Sequence, residues 1–133
     1  MKLFALLCVL VFLSASCNND KTPKPESIVG PNGKDANWKL SIKSNDESFE
    51  FSDTSLKIAT NATGYSVAWM ADDFNGTAGF DTNTLTVTIN IKHSSGDLDL
   101  IGALHDNNFM SGAGTISGYP GPRVVNWRST RDD

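Results

Sequence analysis

From Asn37 onward the chain is written in steps of two. Leu85, Val87, Ile89 and Ile91 alternate with Thr86, Thr88 and Asn90. A period of two sends the apolar set to one face of an extended strand and the polar set to the other. The same alternation puts Trp38, Leu40 and Ile42 opposite Lys39, Ser41 and Lys43, and recurs at Phe49–Phe51, Leu56–Ile58 and Tyr65–Trp69. No stretch keeps a 3.6-residue period, so the domain is expected to be all-β, its strands each with one wet face. Further runs at Phe74–Phe80, Leu98–Leu100, Met110–Ile116 and Val124–Thr130 bring the expected number to eight or nine. Asp72-Asp73, Ser94-Ser95-Gly96 and Asp106-Asn107-Asn108 supply the turns between them. Successive strands joined by tight turns make a meander, and a meander this long hides its edges by closing on itself. Glycines at 79, 102, 112 and 114 suit the sharp coiling of a small barrel. The expectation is a single small antiparallel up-and-down β-barrel over residues 37–131.

The first sixteen residues read differently. Met1-Lys2 is a short positive start, and Leu3–Leu13 is an apolar run too short to span a bilayer of about 30 Å. Small residues Ser14, Ala15 and Ser16 then lead to Cys17. This pattern resembles the bacterial lipoprotein signal peptide, with Ser14 standing where that signal usually has Leu. Ordinary signal cleavage after Ser14-Ala15-Ser16 is the other reading of the same residues. The resemblance implies diacylglyceryl and palmitate-type chains on Cys17, and a cell-envelope location. Asn18 in place of an aspartate points to the outer membrane. Residues 17–36, with three prolines and mostly polar side chains, read as a disordered tether.

Cys8 lies inside the leader, which leaves Cys17 without a partner for a disulfide and removes cysteine metal ligation. The formal charge of −4 and the scattered Lys and Arg argue against nucleic acid as a partner. His93 and His105 each adjoin a turn, with no metal-ligand spacing, and read as surface residues. Neither a nucleophile elbow nor a phosphate loop occurs. Asp72-Asp73 and the Asp97/Asp99 pair are explained by turns and solvated faces. The chain is therefore not expected to be an enzyme, and no cofactor or metal is implied.

Phe74-Asn75-Gly76-Thr77, Leu98–Gly102, Met110-Ser111-Gly112 and Trp127-Arg128-Ser129-Thr130-Arg131 look like small bacterial lipoproteins with a lipocalin-like (calycin-type) barrel. The resemblance implies that Trp38 packs at the closed end of the barrel beneath Arg131, with Trp127 on the same strand face. Ala36 stands where that family places a glycine. Two functions follow as expectations for a monomer. One is a binding module for a small apolar or sugar-like ligand, with Tyr65, Trp69 and Met70 lining the barrel mouth. The other is a protein-interaction lipoprotein, an accessory subunit or hydrolase inhibitor, acting through Gly118–Arg123 and above all Tyr119 and Arg123. A barrel whose interior is full would favour the second.

Overall fold

The computed structural model describes residues 27–94, 96–118 and 121–132. The leader, Cys17 and Tyr119 lie outside the described residues. Eight strands follow one another: β1 (Ala36–Ser44), β2 (Glu50–Asn61), β3 (Gly64–Trp69), β4 (Phe74–Asp81), β5 (Thr86–Ile91), β6 (Leu98–Asp106), β7 (Phe109–Ile116) and β8 (Arg123–Arg131). Each pairs antiparallel with the next, and β1 pairs with β8, so the sheet is a closed up-and-down barrel. Phe51 and the Leu56–Ile58 run join in the one long strand β2, with Phe49 just before it, which settles the count at eight.

Alternation decides what fills the barrel. Leu40, Leu56, Ile58, Trp69, Val87 and Ile89 are all 0% exposed, so no gap large enough to admit a water touches any of them. Eight strands enclose a space that side chains just fill, and here they fill it. All three tryptophans point inward, each with a partner for its indole N–H, as burial of a polar group requires. Trp38 Nε1 donates to the Ile28 carbonyl at 3.0 Å and Trp69 Nε1 to Thr54 Oγ1 at 2.7 Å. Trp127 Nε1 is shared between the carbonyls of Ile101 and Ala113 at 3.2 and 3.1 Å. Room for the Trp127 ring comes from glycines. A Cβ on Gly102 would stand 2.7 Å from Trp127 Cζ2, and one on the facing Gly112 would stand 2.0 Å from the Ile101 carbonyl oxygen.

The two ends of the barrel are closed by different means. At the lower rim, where β1 begins, the segment from Ser27 to Asp35 crosses the opening, with one turn of 3-10 helix at Pro31–Gly33. This corrects the tether expected over residues 17–36: from Ser27 onward they belong to the domain, and β1 starts at a buried Ala36. The reason is local. Ile28, at 0% exposure, and Val29 are the only large aliphatic residues between Cys17 and Ala36, and they cap the end of the core that Trp38 leaves open. Arg131 lies over the Trp38 ring at 4.6 Å and donates to the carbonyls of Asn107 and Ser27. Trp127 does not join that floor, because four strand residues, about 13 Å, separate it from Arg131. It pairs with Ile42 and Gly112 farther up the barrel.

The upper rim is closed by rings. Phe51 meets Phe49 and Trp69 edge-on at 4.8 and 5.1 Å, and His93 lies against Phe74 at 4.1 Å and Trp69 at 5.6 Å. His93, expected at the surface, is instead held among these aromatics because the turn after β5 folds back over the core. Burial pushes its pKa below the usual histidine value.

Candidate functional site

The register of the barrel wall is broken between β1 and β2. Leu40 pairs with Thr54, but the next matched pair is Ile42 with Phe51, so Ser41 alone faces both Ser52 and Asp53. This is a β-bulge. Its extra residue, Asp53, takes a left-handed φ of 52°, a conformation that aspartate tolerates better than most residues. Ser41 Oγ accepts from the Asp53 backbone N–H at 2.9 Å, and Thr54 Oγ1 donates to the Leu40 carbonyl at 2.6 Å. These bonds hold the bulge in place on both sides.

The bulge opens a cleft of about 360 Å³ on the outer wall, lined both by outward residues and by the edges of inward ones. Ile42 and Trp127 border it as well, but at 1% and 3% exposure their side chains belong to the core, and half-buried Phe51 is the apolar lining residue with surface to offer. Its sides carry Glu50, Ser52 and Asp53 from β2 and Asn126 and Arg128 from β8, with Lys43 above. A second cleft of about 230 Å³ continues toward the lower rim between Lys39, Phe109 and Thr130. Ser41, Asp53 and Arg128 line both. Alternation accounts for the polar character of these walls, since Lys39, Ser41 and Lys43 are the outward set of β1. Sequence reading passed over this region because a bulge leaves no composition signature.

The residues picked out from sequence do not converge. Trp69 is core at 0% exposure and borders no cavity. Tyr65, the second residue of β3, lies near the lower rim beside Thr60 and Ala78, whereas Met70 follows the same strand at the upper rim in a left-handed conformation. The expected lining of Tyr65, Trp69 and Met70 is therefore corrected to one core ring with two residues at opposite ends. Arg123 stands at the upper rim, its guanidinium 5.7 Å from the Phe49 ring centre and bonded to Ser48 Oγ at 3.3 Å. Its buried Nε has no hydrogen-bond partner.

The paired aspartates are occupied by their neighbours. Asp97 meets Lys92 Nζ at 2.7 Å, and Asp99 accepts from Asn90 Nδ2 at 2.6 Å. The bond to Asp97 raises the Lys92 pKa. Asp46 serves the β1–β2 connection: bonds from the Ser48 side chain and backbone, then from Ser44, lower its pKa to about 2. His105 Nε2 bonds Ser111 Oγ at 2.8 Å, with its ring stacked on Phe109. Among the described residues no three His, Cys, Asp or Glu side chains gather as a metal site. No protein-family model, no curated protein and no solved structure matches the chain.

Proposed function

We propose that this chain is a lipid-anchored, non-enzymatic binding module of the outer membrane, holding a sugar-like ligand in the cleft on its outer wall. The anchor reading rests on the Leu3–Leu13 run and on Cys17 after Ser14-Ala15-Ser16. Nine residues lie between Cys17 and Ser27, and that length spans at most about 35 Å, which keeps the domain close to the bilayer.

The observation that carries the ligand class is the make-up of the bulge cleft. A sugar ring has an apolar C–H face and a rim of hydroxyls that both donate and accept. Its site therefore needs an apolar floor flanked by acceptors and donors together. Half-buried Phe51 supplies the apolar surface, the Glu50 and Asp53 carboxylates accept, and Asn126 and Arg128 donate. Its volume is at the small end of the roughly 300–1,000 Å³ range of small-molecule sites. An extended peptide gains most of its affinity by adding to a free strand edge, and this closed barrel has none to offer. Glu50 and Asp53 stand exposed to solvent, a setting for holding a ligand rather than for proton transfer in a shielded site.

The test is a glycan array probed with the chain as exported by a bacterial host, followed by calorimetry on the best class. The expected outcome is selective binding that Asn126→Ala weakens about tenfold with no change in melting temperature, since that is the effect of one hydrogen bond to a ligand. The protein-interaction reading has its own support in the filled barrel interior, and in Arg123 and the half-buried Phe49 at the upper rim. A blank array, together with capture of a defined protein partner that Arg123→Ala abolishes, would replace the sugar reading with that one.

A further inference from the structure

We propose that Asn32 is a modification site: the exposed Asn32-Gly33 peptide of the segment that caps the lower rim converts through a cyclic imide to aspartate and isoaspartate, and the fold shields the chain's other Asn-Gly pair, Asn75-Gly76, from the same reaction. Neither pair lines the clefts beside the bulge.

The chemistry needs two things. The backbone nitrogen after the asparagine must reach the side-chain carbonyl carbon, and a following glycine permits this because it has no β-carbon in the way. The peptide between the two residues must also turn to bring those atoms together. Asn-Gly occurs twice in the chain, so local sequence alone makes both pairs reactive. Their settings differ.

Asn75 and Gly76 lie in β4, with a paired strand on each side: Asn75 is opposite Ala68, and Gly76 is opposite Val67 and Ile91. The Asn75 carbonyl accepts from the Lys92 N–H at 3.1 Å, and Gly76 packs so closely on β5 that a Cβ there would collide with the Asn90 carbonyl oxygen. Turning that peptide means opening the ladder. Asn32 and Gly33 are both exposed, in a turn where their φ angles are 58° and 74°. The turn is held by the Lys34 N–H on the Pro31 carbonyl at 3.3 Å, the Gly30 N–H on the Lys34 carbonyl at 2.8 Å and Thr60 Oγ1 on the Gly33 carbonyl at 2.8 Å. All three bonds fall on the peptides around the Asn32–Gly33 link, which turns at far less cost than a link inside the sheet.

In the reaction the Gly33 nitrogen gives up its proton to water and bonds to the Asn32 side-chain carbonyl carbon, and the carboxamide C–N bond breaks with loss of ammonia. Water then opens the imide at one carbonyl or the other. One product is aspartate in the ordinary linkage; the other is isoaspartate, in which the chain runs through the side-chain methylene. Isoaspartate adds an atom to the backbone of a segment fixed at both ends, by Ile28 in the core and by β1 from Ala36. The cap over Trp38 then loosens.

The experiment is peptide mapping by mass spectrometry on the chain as exported by a bacterial host, incubated at mildly alkaline pH both folded and in denaturant. In denaturant the two pairs should react at similar rates. In the folded chain Asn32 should be converted at least about tenfold faster than Asn75, because the strand must open before Asn75 can react. Equal rates in the folded chain, or an Asn32 that reacts only in denaturant, would overturn the site. Melting curves of the isoaspartate fraction and of Asn32→Asp separate the altered backbone from the added charge. The isoaspartate fraction should melt several degrees lower than the native chain, and Asn32→Asp close to it. Coincident melting of the isoaspartate fraction and Asn32→Asp would overturn the loosening of the cap and leave the modification site standing.

Discussion

The two faces of β1 are built from neighbouring residues and do opposite work. Inward, Trp38, Leu40 and Ile42 are buried to within 1% and belong to one continuous core. Outward, Lys39, Ser41 and Lys43 floor a groove open to water. The strand is straight where it meets β8 in unbroken register and interrupted only where it meets β2. A period of two thus lets one nine-residue strand carry both fold and candidate site, with each face free to change without the other. Inner substitutions should cost stability, and outer ones should cost binding alone.

The sharpest way to break this comparison is at Trp38. Its side chain carries the lower end of the core, the hydrogen bond to Ile28 and the stacked Arg131, so Trp38→Ala should lose about 3–5 kcal/mol in a denaturant titration. For a domain of this size that is a large part of the total, typically about 5–15 kcal/mol. A loss under about 1 kcal/mol would mean that the N-terminal segment does not close the barrel in solution. Next in size is Gly112→Ala on β7, two strands away around the wall. The added methyl would meet the Ile101 carbonyl at 2.0 Å and the Gly102 Cα at 2.4 Å, both backbone atoms that cannot turn aside. Overpacking of this kind costs about 1–3 kcal/mol, read as a lower unfolding midpoint with the m-value unchanged.

How much of this was legible in the sequence follows the same division. Alternation places Val87–Ile91 and Trp38–Ile42 correctly on strands because burial of one face is a short-range signal, whereas Leu85 falls in the turn before β5 with a φ of 60°. Gly102 and Gly112 also announce close approach, since no other residue suits an interior so tight. The two features that build the lower cap and the candidate site are long-range. Ile28 and Val29 sit in a Pro-rich segment, and only their contact with Trp38, ten residues away, makes them core. The bulge at Asp53 depends on Ser41, twelve residues away, accepting its N–H. His93 looks like a turn residue until Phe51, Trp69 and Phe74 come from three other places in the chain to surround it.

On the outer face the expected effect is smaller and of a different kind. Arg128→Ala should leave the unfolding free energy within about 0.5 kcal/mol, as for most exposed substitutions away from special contacts. Its affinity for the captured glycan should fall about tenfold. A matching loss of stability would join the two faces of the wall and break the comparison. Intact stability with weakened binding sharpens it.

The smallest effect belongs to the border between the two regimes, at His93. Its ring is among the aromatics of the upper rim but only partly out of water, and burial alone lowers its pKa from the ordinary value of 6.5. The neutral form is therefore the one the fold prefers. Below about pH 6.5 the unfolded chain takes up the proton first, so it holds more protons than the folded one and stability rises with pH. The contribution is complete above about pH 6.5 and is lost as the pH falls through the lower, folded-state value. Melting curves from about pH 7.5 down to about pH 5 should show a steeper decline for the native chain than for His93→Phe, which keeps the ring packing and has nothing to protonate. Carboxylates titrate alike in both proteins, so the difference between the two curves isolates His93. Parallel curves would mean that the imidazole faces water, and that the upper rim is closed by Phe51, Trp69 and Phe74 without it.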